Sequence, residues 1–109
     1  MITWDDFKKV EMRVGTVIEV DDFPEAKNPS YKLKIDFGEL GIKKSSAQLT
    51  KLYKKEDLLN KQVIAVTNFP PKQIANFMSE CLVLGVVQED NEVILLQPER
   101  QCKNGHRIA

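Results

Sequence analysis

Side chains that commonly carry catalysis are few in this chain of 109 residues, and their spacing forms no familiar catalytic group. His106 is the only histidine, which leaves no histidine metal cluster and no Ser-His-Asp set with ordinary spacing. Adjacent carboxylates occur only in predicted turns or helix starts, where such residues are normally solvated: Asp5–Asp6, Asp21–Asp22, Glu56–Asp57 and Glu89–Asp90. We therefore predict that the protein is not an enzyme and has no catalytic residues, metal or cofactor.

The two cysteines, Cys81 and Cys102, are the remaining candidates for reactive side chains. Cys81 lies in an apolar run with Leu82, Val83 and Leu84, where a free thiol behaves as a small hydrophobic residue. We expect two packed or half-exposed free thiols and neither a disulfide nor a metal site.

Sixteen basic side chains balance sixteen acidic ones, so the formal net charge at neutral pH is zero. This balance excludes a strongly basic nucleic-acid coat and a polyacidic tail. The charges are nevertheless uneven along the chain. Residues 1–26 carry three basic and seven acidic side chains (net −4), residues 27–72 carry ten and four (+6), and residues 73–109 carry three and five (−2). An electrostatic function would therefore depend on the middle stretch.

Four lysines of this basic stretch lie on two predicted neighbouring strands. Residues 31–37 alternate apolar and charged side chains, which is typical of a half-buried strand and points Lys32 and Lys34 outward together. With Lys43 and Lys44 of the next strand they predict a face that contacts the phosphates of RNA. The alternative is that these lysines only solvate the outer face of a sheet.

A second candidate ligand surface is the segment of residues 68–80. Two consecutive prolines stiffen it, and Phe77 and Met78 are apolar where a plain loop would be polar. An apolar loop beside a polar sheet face would form a groove for an extended peptide or a nucleotide. The alternative is that the same apolar residues are buried in an interface between two subunits.

The elements that must position these residues are mostly short strands in one domain spanning residues 1–109. Of the chain, 42% is hydrophobic and 29% charged, as expected of a small folded domain. Periodicity predicts a helix at residues 3–10, a turn or short helix at 50–60, and strands at 12–20, 31–37, 42–49, 63–69, 81–87 and 93–97.

This order favours an all-β OB-fold: a five-stranded barrel with a short N-terminal helix, a helical turn after strand three and C-terminal strand extensions. We expect Met12, Val14, Thr16, Ile18 and Val20 to form the apolar face of the first strand. In an OB-fold the ligand lies across strands two and three, between the loops that here are residues 21–30 and 70–79.

No segment of the chain has the length and apolarity of a membrane anchor. The longest stretch without a charged side chain covers residues 62–71, whereas a membrane-spanning helix needs about 20 apolar residues. The N-terminus carries Asp5 and Asp6 where a secretory signal would be basic and then apolar. We therefore expect a cytoplasmic protein without a cleaved leader and without membrane insertion.

The order of several short motifs resembles the EMAP-II-like tRNA-binding OB domains over essentially the whole chain. These motifs are Asp6-Phe7, Arg13-Val14-Gly15, Tyr31-Lys32-Leu33, Asp36-Phe37-Gly38, Asn60-Lys61, the run from Asn68 to Lys72, and Ser79-Glu80. Further motifs are similar to a subgroup described as export-related chaperones: Phe23-Pro24-Glu25-Ala26, the run from Ser45 to Thr50, Asn68-Phe69-Pro70-Pro71, Leu82-Val83-Leu84-Gly85 and Leu95-Leu96-Gln97-Pro98.

The resemblance implies an OB-fold homodimer that binds unfolded or preprotein segments and serves protein export, together with the export machinery. The residues that match motifs near the family's binding groove are Arg13, Ser45, Ser46, Gln48, Asn68, Phe69, Pro70, Pro71, Lys72, Ser79 and Glu80. We add Phe77 from the loop argument, and we expect Arg13 to pair with Glu80. The alternative function is that of a stand-alone tRNA-binding protein that uses Lys32, Lys34, Lys43 and Lys44.

Overall fold

Short strands dominate the computed structural model, which describes residues 1–109. Two α-helices, α1 (Trp4–Lys8) and α2 (Lys55–Leu58), and two 3-10 turns, Gly38–Leu40 and Glu89–Asn91, interrupt the strands. The strands are β1 (Met12–Asp22), β2 (Tyr31–Asp36), β3 (Ile42–Ala47), β4 (Gln62–Val66), β5 (Lys72–Ile74), β6 (Phe77–Ser79), β7 (Leu82–Val83), β8 (Gly85–Val87) and β9 (Val93–Leu95).

Five of these strands form one antiparallel sheet in the order β3-β2-β1-β4-β7, which curls into a nearly closed barrel. The sheet edges meet where β3 passes residue Glu80: the Glu80 amide donates to the Lys44 carbonyl (2.7 Å), and the Lys44 amide donates to Glu80 Oε1 (2.9 Å). The Ser46 amide donates to Ser79 Oγ (3.1 Å). The predicted five-stranded OB-type barrel with a short N-terminal helix is confirmed.

The barrel core is a single cluster of buried apolar side chains, the largest being Phe37, Leu33, Ile35 and Leu58. Gly15 lies directly against this core: a Cβ atom there would come within 2.6 Å of Ile35 and 2.7 Å of Phe37. Because residue 15 has no side chain, β1 can pass close to Ile35 of β2 and to Phe37, which directly follows β2.

The predicted apolar face of β1 is wrong, because the strand contains a bulge at Ile18. Val17 pairs with Ile35 and Glu19 with Lys34, so Ile18 is an extra residue and the side-chain alternation shifts by one. Val17 is completely buried in the core, whereas Ile18 is 41% exposed. Val14 is buried on the other face of the strand. The Val14 amide donates to the His106 carbonyl, and the Val14 carbonyl accepts from the Gly105 amide.

Two further sequence expectations are corrected by the structure. Residues 70–79, predicted as a loop, contain the hairpin β5–β6 with its two-residue turn at Ala75 and Asn76. The strand predicted at residues 81–87 is broken at Leu84, so that β7 pairs with β4 and β8 with β9.

The two chain ends lie against the outside of the barrel. Helix α1 begins with a capping box in which the Asp6 amide donates to Thr3 Oγ1 and the Thr3 amide donates to Asp6 Oδ2. The C-terminal segment follows β1 through the bridge of Arg13 with Arg107 and a hydrogen bond from Ile108 to Met12. No helix of the protein has the length and apolarity needed to span a membrane.

Candidate functional site

A groove of about 700 Å³ runs along the incompletely paired seam of the barrel, between the end of β3 and residues 79–85. The hairpins β5–β6 and β8–β9 form its two ends. The lining residues are Ser46, Ala47, Gln48, Leu49, Phe69, Pro70, Lys72, Ile74, Ser79, Glu80, Cys81, Leu82, Val83, Leu84, Gly85, Val87, Asn91 and Val93. Its volume lies in the range of ligand-binding pockets.

Apolar side chains that remain open to solvent give the groove its chemical character. Phe69 is 54% exposed, Leu82 48% and Val87 75%. Lys72 and Glu80 are the only charged residues of the lining, and one oxygen of the Glu80 carboxylate already accepts the Lys44 amide. The groove can therefore bury apolar groups of a ligand.

Seven of the residues predicted for a peptide site do lie together along this groove: Ser46, Gln48, Phe69, Pro70, Lys72, Ser79 and Glu80. Ser79 and Glu80 also close the barrel through their side-chain oxygens, as described above. Gln48 is different, because its exposed amide group makes no hydrogen bond within the chain. Its carbonyl and NH2 groups are free for the backbone of a ligand.

The other predicted residues lie outside the groove. Asn68 joins helix α1 to the barrel, accepting from the Glu11 amide (3.0 Å) and donating to the Lys9 carbonyl (2.7 Å). Ser45 is fully buried, and Pro71 is exposed beside the groove without lining it.

The expected pair of Arg13 with Glu80 does not form. Arg13 contacts Glu11 at 3.1 Å and donates to the Gly105 carbonyl at 3.2 Å, so it ties the C-terminal segment to β1. Glu80 instead caps the open edge of β3 at Lys44. The physical reason is the topology, because residue 13 lies where β1 pairs with β4 and the C-terminal segment, whereas Glu80 lies against β3.

The groove also contains residues that the sequence interpretation left out, in particular Leu82, Leu84, Gly85, Val87 and Val93. The sequence predicts residues 81–87 as a single apolar strand. The signal that could have found them is the glycine at position 85 in an otherwise apolar run, since glycine within a strand often marks an interruption. Here the break allows the apolar run to line an open surface.

Three of the predicted lysines form an outward face of β2 and β3, which we call the lysine face: Lys32, Lys34 and Lys44. Lys34 lies directly across from Lys44. Lys43 is not part of it, because Lys43 pairs with the core residue Ile35 and successive side chains of a strand point to opposite faces. The predicted face of four lysines is therefore wrong for Lys43.

Acidic residues of β1 lie beside the lysine face and offset its charge. Lys34 forms an ion pair with Glu19 at 3.2 Å, and Asp21 lies directly across from Lys32. Nearby, Lys55 binds Asp22 at 2.9 Å, and this hydrogen bond, aided by the negative charge of Asp22, raises the pKa of Lys55. The net −4 and +6 stretches of the sequence are thus brought together by the pairing of β1 with β2.

Two aromatic rings lie over the same face. Phe23 and Phe77 meet edge to face with their centroids 5.4 Å apart. The Lys32 ammonium lies 5.4 Å from the Phe23 ring and the Lys44 ammonium 5.3 Å from the Phe77 ring. Phe77, which we predicted as a ligand contact, is half-buried against Phe23 and does not line the groove.

Neither cysteine has the surroundings of a reactive thiol. Burial raises the pKa of Cys81 to about 12, so the thiol is neutral at physiological pH; the nearby Lys43 opposes the rise and Glu80 adds to it. Cys81 and Cys102 are both free, as predicted. No group of three or more histidine, cysteine, aspartate or glutamate side chains is placed to hold a metal ion.

Comparison with known protein families gives a match over most of the chain. The model of the family described as "Putative tRNA binding domain" matches residues 12–107. Methionine–tRNA ligases match over nearly the whole chain: the sequence is 38% identical over 107 residues to that of Pyrococcus horikoshii and 33% identical over 107 residues to that of Bacteroides fragilis. The chain spans only 14% and 16% of the length of these two ligases.

Solved structures give matches over the full chain. The chaperone CsaA from Bacillus anthracis is 51% identical with a TM-score of 0.96, and the match covers 100% of this chain and 99% of that one. The CsaA chaperone protein from Picrophilus torridus is 56% identical with a TM-score of 0.94 over all of both chains. A MetRS related protein from Pyrococcus horikoshii is 26% identical with a TM-score of 0.88, covering 100% and 98%. Taken together, these matches describe a binding module.

Proposed function

Because the chain belongs to the tRNA-binding domain family and, within it, to the CsaA group, we propose that it is a molecular chaperone that binds unfolded or preprotein segments in its groove. The observation that carries this proposal is the open apolar lining of the groove, with Phe69, Leu82 and Val87 each about half or more exposed. Apolar surface left in water is stabilised by covering it with other apolar groups. Unfolded chains supply such groups.

The polar residues of the groove suit the backbone of an extended peptide. A bound peptide must satisfy its N–H and C=O groups, since a buried unpaired backbone group costs about as much as a lost hydrogen bond. Gln48 offers both a donor and an acceptor at one wall. Recognition through the backbone and through apolar contacts would accept many sequences, which is what a chaperone requires.

We further propose that the protein acts as a homodimer in the cytoplasm, in the service of protein export. Support for a dimer comes from the hairpin β8–β9 and the residue that directly follows it. Val86, Ile94 and Leu96 are exposed by 49%, 40% and 39%. A row of exposed apolar side chains on one hairpin favours contact with a second copy. Sedimentation at micromolar concentration tests the dimer, and a monomer would contradict it.

Suppression of client aggregation tests the chaperone proposal. A chemically unfolded client is diluted into buffer with the purified protein, and light scattering is followed. We expect Leu82→Ser to raise the concentration needed for half-suppression about tenfold, since full burial of a leucine side chain against a ligand contributes about 1.5 to 3 kcal/mol. Leu40→Ser is the matched control, because Leu40 is similarly exposed, 46% against 48% for Leu82, and lies outside the groove. Equal effects of the two changes would contradict the proposal.

The second candidate is tRNA binding, which the description of the family favours. The lysine face is its proposed site, with Lys32, Lys34 and Lys44 contacting phosphates. Each phosphate contact adds about −0.9 to the slope of log affinity against log salt. Replacing Lys32 and Lys34 by glutamine should therefore flatten that slope by nearly two, and no binding of tRNA at low salt would remove this candidate.

A further inference from the structure

The contact between Phe23 and Phe77, which we call the clasp, joins two parts of the chain that are far apart in sequence. Phe23 directly follows β1, and Phe77 begins β6. The rings lie edge to face at 5.4 Å, and Phe23 is only 3% exposed. The ammonium groups of Lys32 and Lys44 flank the two rings. Aromatic pairs and cation–π contacts both stabilise such an arrangement beyond their buried area.

The hairpin β5–β6 has little else to hold its tip. Its two strands pair with each other and belong to no larger sheet, and an isolated two-stranded hairpin is only marginally stable in water. Its base is fixed by Ser79 and by Glu80, which bond to β3. At the tip, Ala75 has a left-handed backbone with φ of 51°, and Asn76 makes a long 3.5 Å hydrogen bond to Glu25.

The hairpin face that carries the clasp is also the face that lines the groove. The register pairs Ile74 with Phe77 and Lys72 with Ser79, so these four side chains lie on one face of the hairpin. Lys72, Ile74 and Ser79 line the groove. A movement of Phe77 away from Phe23 would therefore move one wall of the groove.

We propose that Phe23 and Phe77 are positioning residues: the clasp holds the hairpin β5–β6 against β3 and thereby keeps the groove in the shape that binds peptide. The inference rests on the proposed function of the groove. It assigns Phe77 a role without ligand contact, and it adds Phe23, Lys32 and Lys44 to the residues on which peptide affinity depends.

Amide hydrogen exchange and peptide affinity of the same variants test this inference. The probe is a fluorescent, extended apolar peptide with no net charge. For Phe77→Ala we expect amides of residues 72–79 to exchange about tenfold faster, with core amides unchanged, and the peptide Kd to rise about tenfold. Phe77→Tyr retains the aromatic ring, so its amide exchange rates and its peptide Kd should match those of the unaltered protein. Met78→Ala is the control, because Met78 lies on the other face of the hairpin and outside the groove.

A milder variant covers the case in which Phe77→Ala unfolds the chain. Lys44→Gln removes the ammonium from the Phe77 ring and keeps the backbone bonds of Lys44 to Glu80. We expect about a threefold rise in peptide Kd, in line with one exposed cation–π contact.

The possible failures are distinguishable. Unchanged exchange in residues 72–79, or faster exchange with unchanged peptide affinity, would overturn the role of the clasp. An unaltered protein that binds no peptide would overturn the proposed function itself.

Discussion

The lysine face and the groove lie on neighbouring parts of β3. They differ in whether their side chains already have contact partners within the chain. The lysines contact groups of their own chain: Lys34 pairs with Glu19, and Lys32 and Lys44 lie over aromatic rings. In the groove, Phe69, Leu82 and Val87 remain open to solvent. The surface with unsatisfied side chains is the better candidate for a ligand site, although the lysines are the more conspicuous feature of the sequence.

The largest effect we expect is from a charge placed in the groove. Phe69→Asp would put a carboxylate against the bound peptide, and desolvating a charge without a partner costs about 3 kcal/mol or more. Peptide affinity should fall about 100-fold, measured by fluorescence anisotropy. Affinity for tRNA should stay the same, since Phe69 lies outside the lysine face. Phe69→Leu is the control and should keep most of the peptide affinity. If Phe69→Asp weakened peptide binding and tRNA binding equally, the assignment of the two ligands to different surfaces would be wrong.

A smaller effect is expected from uncovering the lysine face. The double change Glu19→Gln and Asp21→Asn removes the carboxylates beside Lys34 and Lys32. The tRNA affinity at low salt should then rise about tenfold while its salt slope stays near that of the unaltered protein, because the same two ammonium groups contact phosphates without competing carboxylates beside them. Filter binding across a salt series measures both quantities. An unchanged tRNA affinity would show that Glu19 and Asp21 do not offset the positive charge of the lysine face.

The smallest effect concerns the buried thiol in the groove wall. The pKa of Cys81 rises from 9.0 to about 12 on folding, so this thiol favours the folded state fully below pH 9 and loses that contribution as the pH rises towards 12. Between pH 9 and pH 10 the free energy of unfolding should fall by about 1 kcal/mol more than in Cys81→Ala. Urea unfolding at both pH values measures the difference. If the free energy of unfolding fell equally with pH in the two proteins, the pKa of Cys81 would not be raised by burial and this prediction would be wrong.

Much of the barrel could be predicted because its strands carry strong local signals. The alternation in β2 identified both its core residues and its outward lysines, and the helix predicted at residues 3–10 contains α1. The bulge at Ile18 could not be predicted, since an inserted residue is defined by the partner strand and leaves no mark in the composition. The same holds for Lys43, whose side depends on the pairing of β3 with β2.

The candidate site was predicted in part. Ser46 and Gln48 come from one motif, Phe69, Pro70 and Lys72 come from another, and all five lie along the groove. The side chains of Arg13 and Asn68, which belong to the same set of motifs, hold the chain ends in place. A short motif does not indicate whether its residues bind a ligand or stabilise the fold. Only the contacts in the structure distinguish these two roles.

The same comparison predicts different salt dependences for the two surfaces. Apolar binding in the groove is insensitive to screening, whereas phosphate contacts weaken steeply with salt. The most direct measurement is the Kd of an extended, uncharged apolar peptide at about 50 mM and about 500 mM salt. We predict values that agree within about twofold and a loss of binding in Phe69→Asp at both salt concentrations. A Kd that rises about tenfold or more with salt, or binding that survives Phe69→Asp, would contradict the assignment of the groove as the peptide site.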